Sequence, residues 1–258
     1  MLTIDEAAGE VRVQRGDGAT ITHRLDTDAA FAAVSAAWLR CGWDVKYVYG
    51  FTWLGRPVIQ LPEDLLRMQE LWWRERPDVV VETGVAHGGS LVFHASLCAL
   101  AGHGRVIGVD RDIRPAARAA LAAHPLAARI TLIEGDSAAP ATLAAVRADI
   151  APAERVLVVL DSGHTRAHVL AELHAYAPLI APGGWLVVCD GIMADLAGAP
   201  RSAADWYWNN PRGAIADFLA AEPAFATEEP AFAFNEGAVR RRVTYWPGGF
   251  LRRRGGAA

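Results

Sequence analysis

Residues 78–90 read DVVVETGVAHGGS. Val79, Val80, Val81 and Thr83 form a nearly continuous apolar and β-branched run around one acid, Glu82. A strand buried on both faces of a parallel sheet needs such a run. Pro77 stops a helical stretch at 62–76 just before it, and Gly84 ends it. Gly88-Gly89-Ser90 then opens an apolar helical segment at 89–101. Strand, glycine turn and helix together hold a nucleotide-type cofactor at a helix N-terminus, because glycine lets a ligand approach the backbone closely. A glycine turn of this kind also occurs as a purely structural device. The nicotinamide fingerprint is GxGxxG with an acid about 20 residues beyond it. Here the glycines read GxxxGG and Glu82 precedes them, which counts against an NAD-dependent dehydrogenase.

Outward from this stretch the chain alternates. Strands are expected at 79–83, 105–110, 130–134, 156–160 and 185–189, with helices at 89–101, 115–123, 139–148 and 166–177. That rhythm predicts an α/β fold with a doubly wound, mostly parallel sheet, Rossmann-like in its winding. Before it, residues 1–60 form an N-terminal extension. Its expected parts are a strand pair turning at Gly16-Asp17-Gly18, a helix over 26–39, and an aromatic connection carrying Tyr47, Tyr49, Phe51 and Trp53. Residues 61–258 form the cofactor domain, closing with a helix at 213–221 and strands at 224–228 and 238–246.

Ligands of open parallel sheets lie outside the carboxyl ends of the strands. Those ends carry Glu82, Asp110, Asp136 with Ser137, Asp161 with His164, and Asp190. Helix capping explains one or two acids there, but five at one edge point to a site. Asp110 suits two ribose hydroxyls and Asp136-Ser137 an adenine amine. Glu82 and the turn from Gly84 to Ser90 suit the zwitterionic end of S-adenosylmethionine.

The runs ETGVAHGGSLVFHASL, VIGVDRDIRP, HPLAARITLIEGD, LDSGHTRAHVLAEL, YAPLIAPGGWLVV and PGGFLRRR, in this order over residues 57–254, resemble the cephalosporin hydroxylase family. These are enzymes of the class I S-adenosylmethionine-dependent methyltransferase fold, and relatives include O-methyltransferases of sugars and natural products. The resemblance implies cofactor contacts from Glu82, Gly84, Gly88, Ser90, Asp110 and Asp136; Thr83, His87, Ser137 and Asp161, beside them at the same strand ends and turns, are further cofactor candidates. It also implies a divalent metal, usually magnesium, beside the methyl donor. The family has an adjacent Glu-Asp pair at the end of the fifth strand, whereas this chain has Cys189-Asp190.

Asp161 and Asp190 close strands expected to be neighbours about 4.8 Å apart, so they can share one hard cation. Cys189 is open to two readings, a thiolate favouring a softer metal or a small buried hydrophobe. His164, in a turn three residues past Asp161, is the candidate base for a substrate hydroxyl. His168 follows at i+4, but a two-histidine metal site needs a third ligand that the sequence does not supply. Asp205-Trp206-Tyr207-Trp208-Asn209-Asn210 is aromatic enough to line an acceptor pocket, with Trp206, Trp208 and Asn209 meeting a sugar. Packing against the extension or a subunit contact explains it equally.

Composition sets the outer bounds. The 258 residues are 52% hydrophobic and 21% charged, enough apolar material for one sizeable core. A net charge of −4 gives no general attraction for nucleic acid or anionic membrane. The acidic start MLTIDEAAGE is not a signal peptide, and three scattered cysteines suit a reducing compartment, so a cytoplasmic protein is expected. Symmetry statistics favour a homo-oligomer. The function expected is methyl transfer from S-adenosylmethionine to a hydroxyl of a sugar, glycoside or other small scaffold. The alternative is a cofactor-binding accessory protein that assists a partner enzyme in hydroxylation or methoxylation.

Overall fold

The computed structural model describes residues 1–255. The extension begins with three strands rather than a pair: β1 (Leu2–Asp5), β2 (Glu10–Gln14) and β3 (Thr20–Arg24) form an antiparallel sheet with β2 in the middle. Helix α1 (Asp28–Asp44) follows, capped by Thr27, whose side chain accepts from the Ala30 amide. It runs five residues past the expected end, because the residues after Leu39, up to Asp44, contain no proline. The aromatic connection is itself a hairpin, β4 (Phe51–Trp53) and β5 (Arg56–Val58). Its two turn residues, Leu54 at φ 45° and Gly55 at φ 83°, are both left-handed, as a tight two-residue hairpin requires.

Helix α2 (Pro62–Glu75) leads into the central sheet, made of β6 (Val79–Thr83), β7 (Arg105–Asp110), β8 (Ile130–Glu134), β9 (Val156–Leu160) and β10 (Trp185–Val188). The helices between them are α3 (Gly89–Ala101), α4 (Pro115–Ala122), α5 (Pro140–Ala148) and α6 (Arg166–Tyr176). After β10 come α7 (Pro211–Ala221), β11 (Phe225–Thr227) and β12 (Phe250–Arg253). The strand order is β11-β12-β10-β9-β6-β7-β8. The five strands β6 to β10 are parallel, and β12 inserts antiparallel between β10 and β11.

Every residue of β6 and β9 is buried, so the apolar run that marked the fold forms its centre. Val80, Leu157, Val159 and Val187 face α2 and α3, while Val79, Val81, Val158 and Leu186 face α6 and α7. Each such side chain removed from water contributes roughly 1.5–3 kcal/mol.

The strand expected at 238–246 does not form. Tyr245 and Trp246 instead enter the core, and the Tyr245 amide and the Thr244 hydroxyl both donate to the Asp64 carboxyl on α2. Burial pushes Asp64 up to about 8 despite these two bonds. The final strand starts beyond Pro247-Gly248-Gly249. Gly249 lies against the Val188 carbonyl, where a Cβ has no room.

Candidate active site

The carboxyl ends of β6, β7, β8 and β9 surround a cavity of about 580 Å³. Its wall contains Gly84, Asp110, Asp136, Ser137 and Asp161 from the expected cofactor set. Gly84 has φ +92° and its Cα faces the Asp161 carbonyl oxygen, so no side chain fits there. The Asp161 amide in turn donates to the Thr83 carbonyl at 3.0 Å. Asp110 is oriented by the glycine turn: its Oδ2 accepts from Val85 N at 2.8 Å and its Oδ1 from Asp112 N at 3.1 Å. Oδ2 also accepts from Ala86 N at 3.4 Å, so it is Oδ1 that keeps a lone pair for a ligand hydroxyl. Asp136 Oδ1 accepts from Ala138 N at 3.0 Å, which fixes the turn after β8.

The other expected cofactor residues lie outside the cavity wall. Glu82, Thr83 and Gly88 are buried beneath the turn, Ser90 is half-buried in the first turn of α3, and the His87 carbonyl accepts from Arg56. Glu82 is fully buried, with neither carboxyl oxygen hydrogen-bonded among the described residues and His94 Nε2 3.8 Å away. Burial pushes Glu82 up to about 8, opposed by the Ser90 hydroxyl, and pushes His94 down to about 3. The cavity also takes in Ala86, Arg111, Asp112, Arg114, Ser162, Gly163, Thr165 and His168. Those from the turns that follow Asp110 and Asp161 had a signal in the sequence, since they immediately continue two acids at strand ends.

Beside the cavity, Asp161, His164 and Asp190 each offer a ligand atom within 4.8 Å of the other two. His164 Nε2 lies 3.4 Å from Asp190 Oδ2, and Gln60 Nε2 donates to Asp161 Oδ2 at 3.2 Å. Asp190 is a left-handed residue at φ 56°, a conformation that aspartate tolerates. Burial, then the charge of Asp190, pushes Asp161 up to about 8; burial also raises Asp190, opposed by His164. Two carboxyls crowded in this way resist ionising together unless a cation joins them. The two carboxylates offer hard oxygens that fit a divalent ion, with the imidazole beside them.

Cys189 does not join this group. Its side chain is wholly buried in the apolar core, and burial plus the surrounding carboxyls raise its thiol well above the ordinary range, opposite to what a thiolate ligand needs. His168 turns away as well, toward Ser137, Ser162 and Glu172.

In the aromatic segment, Trp206 packs edge-on against Trp43 at 5.7 Å. Asn209 accepts from the Arg166 amide and donates to Asp205. Trp206 and Asn209 therefore hold the segment in place, while Trp208 remains 48% exposed.

A sheet in this order, with an acid-lined cavity over the first strands and a carboxylate–histidine cluster beside it, has the class I methyltransferase fold. Residues 45–254 match the family described as Rhamnosyl O-methyltransferase/CmcI, and the chain belongs to that family. It is 32% identical over 174 residues to a rhamnosyl O-methyltransferase of Mycobacterium leprae (strain TN), covering 63% of this chain and 72% of the relative. A rhamnosyl O-methyltransferase of Mycobacterium tuberculosis (strain ATCC 25618 / H37Rv) is 30% identical over 156 residues, 56% of this chain and 61% of that one. Among solved structures, CmcI with Mg and SAM superposes with a TM-score of 0.53 at 22% identity, over 80% of this chain and 77% of that chain. An O-methyltransferase from Bacillus cereus in complex with SAH gives 0.51 at 17% identity, over 84% and 89%. Both structures share the fold.

Proposed function

We propose that this chain transfers the methyl group of S-adenosylmethionine to a hydroxyl of a sugar, glycoside or other small hydroxylated scaffold. The observation that carries the reading is the placement of Asp161, which borders the cofactor cavity and belongs to the Asp161–His164–Asp190 cluster. Gly84, with no room for a side chain, fits a cofactor held close to the backbone turn. Methyl transfer forms an O–CH₃ bond as the S–CH₃ bond breaks, so the protein must align the two and remove one proton. Asp161 and Asp190 would hold a divalent metal, magnesium being the hard ion that oxygen ligands favour; when bound it lowers the pKa of an acceptor hydroxyl. His164 takes the hydroxyl proton on its imidazole, oriented by Asp190. Trp208, at the exposed edge of its segment, covers the acceptor. We place the chain in the cytoplasm as a homo-oligomer acting on a free small molecule. No helix among the described residues is long and apolar enough to cross a membrane.

The test is Asp161→Ala, assayed for turnover and for S-adenosylhomocysteine affinity. The expected result is a turnover loss of about 100-fold or more, with affinity within about threefold. Near-normal turnover would end the proposal. One observation favours a second reading, the accessory protein: the neutral Cys189 thiol stands where the family has a second carboxylate. Methyl transfer by the isolated chain, with no partner added, would remove that reading.

A further inference from the structure

The cavity wall holds a histidine to which methyl transfer assigns no task. His168 Nε2 lies 3.1 Å from Ser162 Oγ, 3.2 Å from Ser137 Oγ and 3.5 Å from Glu172 Oε1. Ser162 Oγ donates its proton to Glu172 Oε1 at 2.7 Å, and the Glu172 side chain is 1% exposed. A carboxylate only accepts, so the hydrogen in this network sits on Nε2. This is not a nucleophile triad, because serine and carboxylate share one ring nitrogen instead of taking one each. Nδ1 has no hydrogen-bond partner among the described residues, and the ring lines the cavity beside Asp136 and Ser137. Gly163 leaves the ring its place: a Cβ there would stand 3.0 Å from His168 Cδ2.

We propose that His168 reads the purine of the cofactor, its Nδ1 accepting a hydrogen bond from the 6-amino group. This rests on the reading that S-adenosylmethionine fills the cavity with its adenine at Asp136 and Ser137. An amine brings two hydrogens, and Asp136 and His168, both in the cavity wall, would accept one each. A purine carrying a carbonyl at that position meets two lone pairs and is rejected. The histidine is held for this task through Nε2, which the Ser137–Ser162–Glu172 network fixes, leaving Nδ1 for recognition.

The acceptor exists only while the imidazole is neutral. The Glu172 hydrogen bond on its own helix and the Asp136 charge from the turn after β8 hold His168 above the ordinary imidazole value, opposed by burial and by Arg111 from the turn after β7. Selectivity for the amine therefore rises with pH.

The experiment is calorimetry with S-adenosylhomocysteine and S-inosylhomocysteine at pH 6 and pH 9. The wild-type chain should prefer the adenosyl compound, and by about tenfold more at pH 9 than at pH 6. His168→Gln keeps a polar group near the position of Nε2 and nothing at Nδ1. It should lose about tenfold of the pH 9 preference while melting as the wild type does. His168→Asn, with a polar atom near Nδ1, should restore part of it. A preference that does not change between pH 6 and pH 9, or that survives in His168→Gln, would overturn the assignment. Failure of the wild-type chain to bind S-adenosylhomocysteine at all would overturn the cofactor reading on which it stands.

Discussion

Gly84→Ala separates the conformational demand of the cofactor turn from its contact with the neighbouring strand end. At φ +92° an alanine carries the left-handed penalty of roughly 1–2 kcal/mol. Its methyl would also meet the Asp161 carbonyl group and stand 3.2 Å from Ser162 Cα, backbone that cannot swing aside. Overpacking of this kind costs about 1–3 kcal/mol. The sum, about 3 kcal/mol, corresponds to a fall in Tm of about 6–12 °C for a domain of this size. Gly102→Ala is the matched control, because Gly102 has φ +78° and open space around its Cα. It should lose only about 1 kcal/mol, or about 2–4 °C. Thermal melts followed by circular dichroism measure both, and titration with S-adenosylhomocysteine shows whether the displaced Asp161 backbone spoils the cavity. Affinity should fall at least about tenfold in Gly84→Ala and stay unchanged in Gly102→Ala. Equal Tm losses in the two variants would refute the reasoning, since the contact with Asp161 would then contribute nothing.

Glu82, raised to about 8 by burial, binds its proton more tightly folded than unfolded. Its contribution is complete below the ordinary glutamate range and lost as pH rises toward 8, so Glu82→Gln should flatten the decline of Tm between pH 5 and pH 8 in scanning calorimetry. Trp206→Ala should cost about 2 kcal/mol in urea unfolding through its lost contact with Trp43. Trp208→Ala should leave unfolding unchanged and raise the acceptor KM. Leu54→Asn should gain about 1 kcal/mol by relieving a left-handed leucine that is 60% exposed, read as a rise in Tm of about 2–4 °C.

The parallel half of the sheet was legible because its physics is local. Val79 to Thr83 and Val156 to Leu160 must be buried on both faces, and glycine or proline follows or precedes each unit. The acids Asp110, Asp136 and Asp161 stood out because a strand end is where a buried run becomes polar. Three features were hidden because distant contacts decide them. Residues 238–246 alternate like a strand, yet the Asp64 carboxyl captures Thr244 and Tyr245 in another conformation. Trp206 and Asn209 were open to binding or to packing, and the residues that meet them, Trp43 and Arg166, come from segments far along the chain. Glu82 follows a local rule instead: period-two alternation places it toward α3 and His94, outside the cavity wall. His168 carried no mark of its partners, which come from Ser137 on another loop and from Glu172 one helical turn on.

Asp161 joins two sites with one residue. Its backbone is pinned to Thr83 and faces Gly84 on the cofactor side, while its carboxyl meets Asp190 and His164 on the other. A ligand that shifts this residue from one side changes the affinity of the other, and thermodynamic reciprocity makes the factor equal in both directions. A cation seated at the cluster would therefore tighten or loosen the adenosyl ligand by the same ratio that the ligand changes the cation's own dissociation constant.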